Sequence, residues 1–319
     1  MTAAEAVDLL TIPAAAEPAV RRNYAPRVAP DGYLDSRDWH YRSPSYQALG
    51  HSFCVRSDDA EVAGYVEAVF EEFTSDEPAA TTYSLMDRGA RHKAAYALYA
   101  DNTRVGLSRS RSRSLATMLW HVNHEVVRLT DPRFVQWHAS AAVRDGVCVV
   151  MPAPMESGKT TTVAGLLRIG YQYLTDETVA IDGETLLVEP FPKALSVDRG
   201  SWSVLADLEP ALQFVDDQWQ VPPRRIRPDV VAARVRPRLI VCPRFRPGVE
   251  TVLRPLRRAE ALLLVAQSTF RFTEDPARNL GVSAQVVAGC DCYDLQIGDL
   301  GQAVAQIDHL VSQVLKGER

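Results

Sequence analysis

The stretch from Val147 to Thr162, VCVVMPAPMESGKTTT, restricts the fold of this chain more than any other. Val147, Val149, Val150 and Met151 read as a short buried strand, and Val163, Leu166 and Leu167 follow at helical spacing. Between them Ser157-Gly158-Lys159-Thr160 closes a loop. Strand, loop and helix in that order are the setting of a phosphate loop, whose backbone N–H groups turn inward at the positive end of the helix. Ala153, Glu156, Ser157, Gly158, Lys159, Thr160 and Thr161 are then the nucleotide-binding candidates. Lys159 is expected on the β- and γ-phosphates and the Thr160 hydroxyl on Mg²⁺. Ala153 stands where G-x-x-x-x-G-K-[ST] has its first glycine, so φ must stay negative there. Glu156 adds a negative charge near the phosphates.

The rest of the composition narrows the partners. Hydrophobic residues make up 46% of the 319 and charged residues 24%, the balance of a globular chain. No apolar run approaches the roughly 20 residues of a membrane span, so no membrane role is expected. The first residues carry acids and no early Lys or Arg, unlike a secretory signal, and a cytoplasmic location is expected. A net charge of -5 gives no reason to expect nucleic acid. The five cysteines lack framework spacing and read as buried, reduced thiols. Cys290 and Cys292 fall on one side of a strand, too few ligands for zinc.

Three regions are expected. Residues 1–45 hold Pro13, Pro18, Pro26, Pro30 and Pro44 and read as an extended arm. Residues 46–130 read as a small α+β domain. There a helix opens at Asp58-Asp59-Ala60-Glu61 and buries Val62, Tyr65, Val66, Val69, Phe70 and Phe73, and strands follow at 81–85, 95–99 and 103–107. Ser108-Arg109-Ser110-Arg111-Ser112-Arg113-Ser114 reads as a solvated loop whose serine caps the next helix, the alternative being a basic lip over a phosphate site. Residues 131–319 read as the catalytic domain, with strands at 134–138, 141–143 and 147–151 before the loop, an irregular stretch over 190–223, a strand at 238–241, a helix over 258–269, and a closing strand (291–296) and helix (300–315).

Three elements are expected to converge: the loop with Lys159 and Thr160, the pair Asp176-Glu177 at a strand end 17 residues after Lys159, and His138 on the strand before the loop strand. Carboxylates so placed suit Mg²⁺ and the proton of an attacking hydroxyl, and the histidine suits an acid partner or a phosphate contact. Lys193, Arg244 and Arg246 are weaker candidates for phosphate or substrate, with solvated surface side chains as the alternative.

His138-Ala139-Ser140, the loop, and Gly170-Tyr171-x-Tyr173-Leu174-Thr175-Asp176-Glu177 together resemble the C-terminal domain of HPr kinase/phosphorylase, whose core is itself similar to phosphoenolpyruvate carboxykinases. The likeness covers about residues 131–200. Pro190-Phe191-Pro192-Lys193, Pro243-Arg244-Phe245-Arg246-Pro247-Gly248 and Tyr293-Asp294-Leu295-x-x-Gly298-Asp299-Leu300 resemble phrases of HPr-kinase-like proteins, several of them encoded beside peptide natural-product genes. The resemblance implies an α/β fold, a P-loop kinase core with a mixed, strongly bent sheet, preceded by the small α+β domain. It implies an ATP- and Mg²⁺-dependent serine kinase acting on a peptide or small protein, for which a ribosomal precursor peptide is the first guess, and a homo-oligomer. Asp176 then matches the acid that takes the serine proton, with His138 and Lys159 as its catalytic partners, and Glu177 with Thr160 lies near Mg²⁺. Ala153, Glu177 in place of a second Asp, and the missing glycine-rich signature depart from the family and argue against HPr itself as acceptor. A small-molecule hydroxyl kinase and a non-catalytic nucleotide-binding partner protein are the alternatives.

Overall fold

A computed structural model describes residues 27–89, 91–211 and 218–317, so most of the expected arm lies outside the described residues. The chain builds two mixed sheets. The first holds β1 (Tyr41–Arg42), β2 (Ser45–Ala48), β3 (His51–Ser57), β4 (Thr74–Ser75), β5 (Thr81–Asp87), β6 (Tyr96–Ala100) and β7 (Thr103–Ser108), in the order β4-β2-β3-β5-β6-β7 with β1 on β3. Strands β3 and β5 run parallel because the chain crosses between them through α1 (Ala63–Phe70). Helix α2 (Arg111–Leu129) covers the same face and buries Leu115, Met118, Val122 and Val126 against Phe53, Tyr65, Phe70 and Tyr83.

Ser110 caps α2, its hydroxyl accepting from the Arg113 N–H as expected, but Arg111–Ser114, read as loop, form the first turn of the helix, with Ser114 buried. Arg111 is tied to Asp59 at 2.6 Å and Glu61 at 2.5 Å, which holds it at the turn that precedes α1.

The second sheet holds β8 (Phe134–Arg144), β9 (Val147–Pro152), β10 (Gln172–Thr175), β11 (Thr178–Asp182), β12 (Val188–Glu189), β15 (Pro237–Phe245), β16 (Val252–Pro255) and β17 (Asp291–Ile297). Their order is β12-β11-β8-β9-β15-β17-β16, with β10 also on β8. Strands β9, β15 and β17 are mutually parallel and the other pairs antiparallel. Strand β8 is continuous where the sequence reads as two strands. Its first half pairs with β11 and its second half with β9 and β10, so it carries the sheet from one set of partners to the other. Within the stretch expected to be irregular, β13 (Leu195–Asp198) and β14 (Gln218–Val221) form a hairpin.

Period-two alternation assigns the two faces. Val149, Met151, Leu239, Val241 and Leu295 face α3 (Lys159–Arg168) and α7 (Leu300–Leu315). Cys148, Val150, Ile240 and Cys242 face α5 (Arg258–Gln267) and α6 (Pro276–Ala288), with α4 (Pro223–Ile226) lying between β14 and β15 in the chain. All the cysteines are free, and Cys290 and Cys292 lie in that second core, as expected of structural thiols. The two sheets meet where Phe191 and Ala194 enter the core of the first, the Phe191 ring 5.6 Å from that of Phe73. Gly298 has a steric cause: a Cβ there would stand 1.7 Å from the Val249 carbonyl oxygen. Among the described residues no helix is long and apolar enough to cross a membrane.

Candidate active site

The loop expected to hold phosphate runs from Pro152, the end of β9, to Lys159, the first residue of α3. Ala153 keeps a negative φ, so it follows the turn without a glycine. The positive-φ positions are Glu156 at 60° and Gly158 at 91°. Glu156 is exposed, which sends its carboxylate to solvent. Ser157 is buried, and its hydroxyl has no protein partner. Gly158 is the N-cap of α3 and offers no side-chain cap, so the first N–H groups of the helix are left to other acceptors. Lys159 folds back into the loop, its Nζ donating to the Ala153 carbonyl at 2.7 Å and the Pro154 carbonyl at 2.6 Å. Burial pulls its ammonium down to about 8, although Asp176 and Glu177 oppose the shift.

Asp176 and Glu177 occupy the turn between β10 and β11, and Asp176 is almost wholly buried. Its Oδ2 accepts from the Thr160 hydroxyl at 3.2 Å and the Ser196 N–H at 3.0 Å. Its Oδ1 accepts from the Tyr173 hydroxyl at 3.0 Å and stands 2.8 Å from Lys193 Nζ. Every oxygen of this carboxylate therefore has two donors. Glu177 is different: its side chain is 37% exposed, 3.3 Å from Lys193 and 3.5 Å from the Asn123 amide donor of α2.

Lys193 is the residue whose placement differs most from the sequence reading. It neither solvates a loop nor reaches toward an open substrate site. It is buried between the two acids, donating also to the Ala194 carbonyl and Ser196 hydroxyl at 3.1 Å each. Burial alone would lower its ammonium, but Asp176 and Glu177 prevail and hold it above the usual lysine range.

His138 lies on β8 directly opposite Thr178 of β11. Gln136, His138 and Ser140 point to one face at period two, and with Thr178 they form a polar row. Each carries a buried polar atom without a protein partner, both ring nitrogens in the case of His138. The Phe270 ring meets the imidazole edge-on at 5.5 Å. Burial pushes His138 down to about 4, with Lys159 adding to the effect, so the ring is neutral near pH 7.

Arg244 near the carboxyl end of β15 and Arg246 just beyond it are exposed. Arg244 is bound to Asp294 of the neighbouring strand. Between them the Phe245 N–H donates to the Ser157 carbonyl at 3.0 Å, which ties this strand end to the loop. The structure thus gathers Lys159, Thr160, Asp176, Glu177 and Lys193, sets His138 on the adjoining strand, and leaves Arg244 committed to Asp294 near the end of β15. Sequence reasoning missed Tyr173, Ser196 and Asn123. The Tyr173 signal was its place three residues before Asp176 on the same strand; Asn123 comes from the other half of the chain and left none.

Thr160 and Asp176 offer oxygen donors of the kind Mg²⁺ takes alongside phosphate and water. Among the described residues no cluster of three or more His, Cys, Asp or Glu could hold a metal by itself. No family model matches this chain, and no curated protein matches it. Among solved structures, the Hpr(Ser) kinase/phosphatase from Coxiella burnetii is similar at 13% identity over 58% of this chain and 99% of that chain, with a TM-score of 0.33, a likeness too slight to bear on fold or activity.

Proposed function

We propose that this protein transfers the γ-phosphoryl group of ATP to a hydroxyl, with the serine of a peptide or small protein as acceptor. The observation that carries this reading is the 3.2 Å contact between Thr160 and Asp176, because it puts the hydroxyl after the loop lysine beside a buried carboxylate. The unpartnered Ser157 hydroxyl and the uncapped start of α3 fit phosphate oxygens. Thr160 and Asp176 would hold Mg²⁺, which supplies charge neutralisation on the transferring group. Lys159 adds a second positive charge once phosphate oxygens replace the loop carbonyls it now engages.

The geometry favours exchanging the two acids relative to the sequence expectation. Asp176 is surrounded by donors on both oxygens, which suits a fixed metal-side ligand. Glu177 keeps exposed surface and looser contacts, which suits the base that takes the acceptor O–H proton as the new O–P bond forms and ADP leaves. Neutral, poorly basic His138 then serves as a positioning group in the polar row rather than a base.

The test measures ATP binding with and without Mg²⁺, then single-turnover transfer to candidate serine peptides. Lys159→Ala should abolish binding, Asp176→Asn should remove its Mg²⁺ dependence, and Glu177→Gln should bind ATP normally while transfer falls by at least a hundredfold. Mg²⁺-independent binding indifferent to Lys159 would overturn the reading. Full transfer by Glu177→Gln would return the role of base to Asp176.

A further inference from the structure

Two large apolar side chains stand exposed beside the phosphate loop: Met155, 61% exposed on the loop itself, and Phe245, 51% exposed at the end of β15. The strand that carries Phe245 is buried from Leu239 to Pro243 and comes out to solvent at Arg244 and Phe245. The Phe245 backbone is tied to the phosphate loop. The N–H donates to the Ser157 carbonyl, and a Cβ built on Gly158 would stand 3.3 Å from the Phe245 Cβ and 3.6 Å from Ile297 Cδ1. Phe245 and Ile297 are register partners on parallel β15 and β17. The ring therefore lies at the carboxyl ends of the parallel strands, adjoining the loop, where open α/β sheets form their ligand crevices.

From this placement we infer that Phe245 is the stacking surface for the nucleobase of the bound nucleotide. The inference rests on the phosphate-loop reading and extends it to the far end of the ligand. A base has a π-face whatever its edge pattern, so a half-exposed phenyl ring beside the phosphate cradle takes purines of either kind. A second large aromatic near the loop is less available. Trp202 follows Ser201, which bonds Thr161, but its ring is already stacked on Trp219 at 4.7 Å with Arg199 over it at 5.4 Å. Exposed Arg246, next in the chain, is placed to approach the same base from its edge.

Equilibrium binding of ATP, GTP and inorganic tripolyphosphate, each with Mg²⁺, separates base from phosphate. Phe245→Ala should weaken ATP and GTP by roughly tenfold to a hundredfold, the range of one base–aromatic stack, and leave tripolyphosphate unchanged. Phe245→Leu keeps apolar bulk against Gly158 and should show the same selective loss, while Phe245→Trp should retain affinity and be quenched by ATP but not by tripolyphosphate. Equal losses for all three ligands in both truncated variants would overturn the inference, making Phe245 a support of the loop. Unchanged ATP binding would overturn it too. Failure of the wild-type protein to bind tripolyphosphate, or binding that survives Lys159→Ala, would instead bring down the phosphate-loop reading beneath it.

Discussion

Lys193→Met removes a cation in ion-pair contact with both acids, and the loss follows from the contacts. The Lys193 and Asp176 side chains are 5% and 2% exposed, so water cannot replace the lost charge. Removing one partner of a buried ion pair costs about 3–5 kcal/mol, because a buried charge is left uncompensated. Here Asp176 keeps three donors, from Tyr173, Ser196 and Thr160, and methionine fills most of the lysine volume. The expected loss therefore sits at the low end, about 3 kcal/mol. The Lys193 ammonium is held above its unfolded value, so this stabilisation is present below about pH 10.5 and lost at higher pH. Urea unfolding followed by tryptophan fluorescence, with the linear extrapolation of each variant, reads the difference. Asp176→Asn on top of Lys193→Met should restore at least 1 kcal/mol, since the double variant buries no lone charge. A single variant that loses less than 1 kcal/mol, or a double variant no better than the sum of its parts, would refute the account of Lys193 as a buried counter-ion.

Other outcomes follow from the same geometry. With Lys159 near 8 in the free protein, ATP affinity should be flat up to about pH 7.5 and fall by up to tenfold toward pH 9, because binding must then take up a proton; Lys159→Arg should flatten the profile in calorimetric titrations. His138 is held near 4 against about 6.5 unfolded, so the unfolded chain binds the extra proton first and stability drops by roughly 3 kcal/mol as pH falls from 6.5 to 4; thermal melts of His138→Gln should show a shallower decline. Glu156→Gly relieves a positive φ at a non-glycine residue and removes an exposed anion beside the loop, so ATP should bind two- to fivefold tighter at low salt with stability changed by less than about 1 kcal/mol. Gly298→Ala cannot avoid the Val249 carbonyl and should lower stability by about 2–4 kcal/mol in the same urea assay.

Local pattern made much of this legible. Helix α7 spans residues 300–315 as its apolar spacing predicts, and the strand-loop-helix unit was readable because period two gives way to period 3.6 across Gly158. Helix α6 went unread although Asp275 and Pro276 are good start signals, since Ala, Gly and Ser dilute the stripe formed by Val282, Val286 and Val287. The hairpin β13–β14 was hidden by the prolines around it and by the distance between its strands. At the site, residue types named the loop and the acids, but not their mutual arrangement. Lys193 reads as either a phosphate or substrate contact or a solvated loop lysine, and nothing local marks it as a buried counter-ion, two residues after Phe191 enters the core of the other sheet. Asn123 was beyond reach, because nothing local marks a helix residue that will touch a carboxylate 54 positions later.

Parallel strands β9, β15 and β17 also set an order of events during synthesis. The loop strand, VCVVMP, emerges with β8 as its immediate partner, while its other edge waits for β15 and the full parallel set waits for β17 at residues 291–297. Helix α7, whose Leu300 and Val304 press on Gly165 of α3, comes later still. At ribosomal speeds the apolar edge of β9 stays open for on the order of ten seconds, long after β1–β7 and their helices can have collapsed. A nascent chain stalled in that interval would present one structured sheet and one sticky, half-built strand, and holding chaperones should bind it there, between residues 147 and 152.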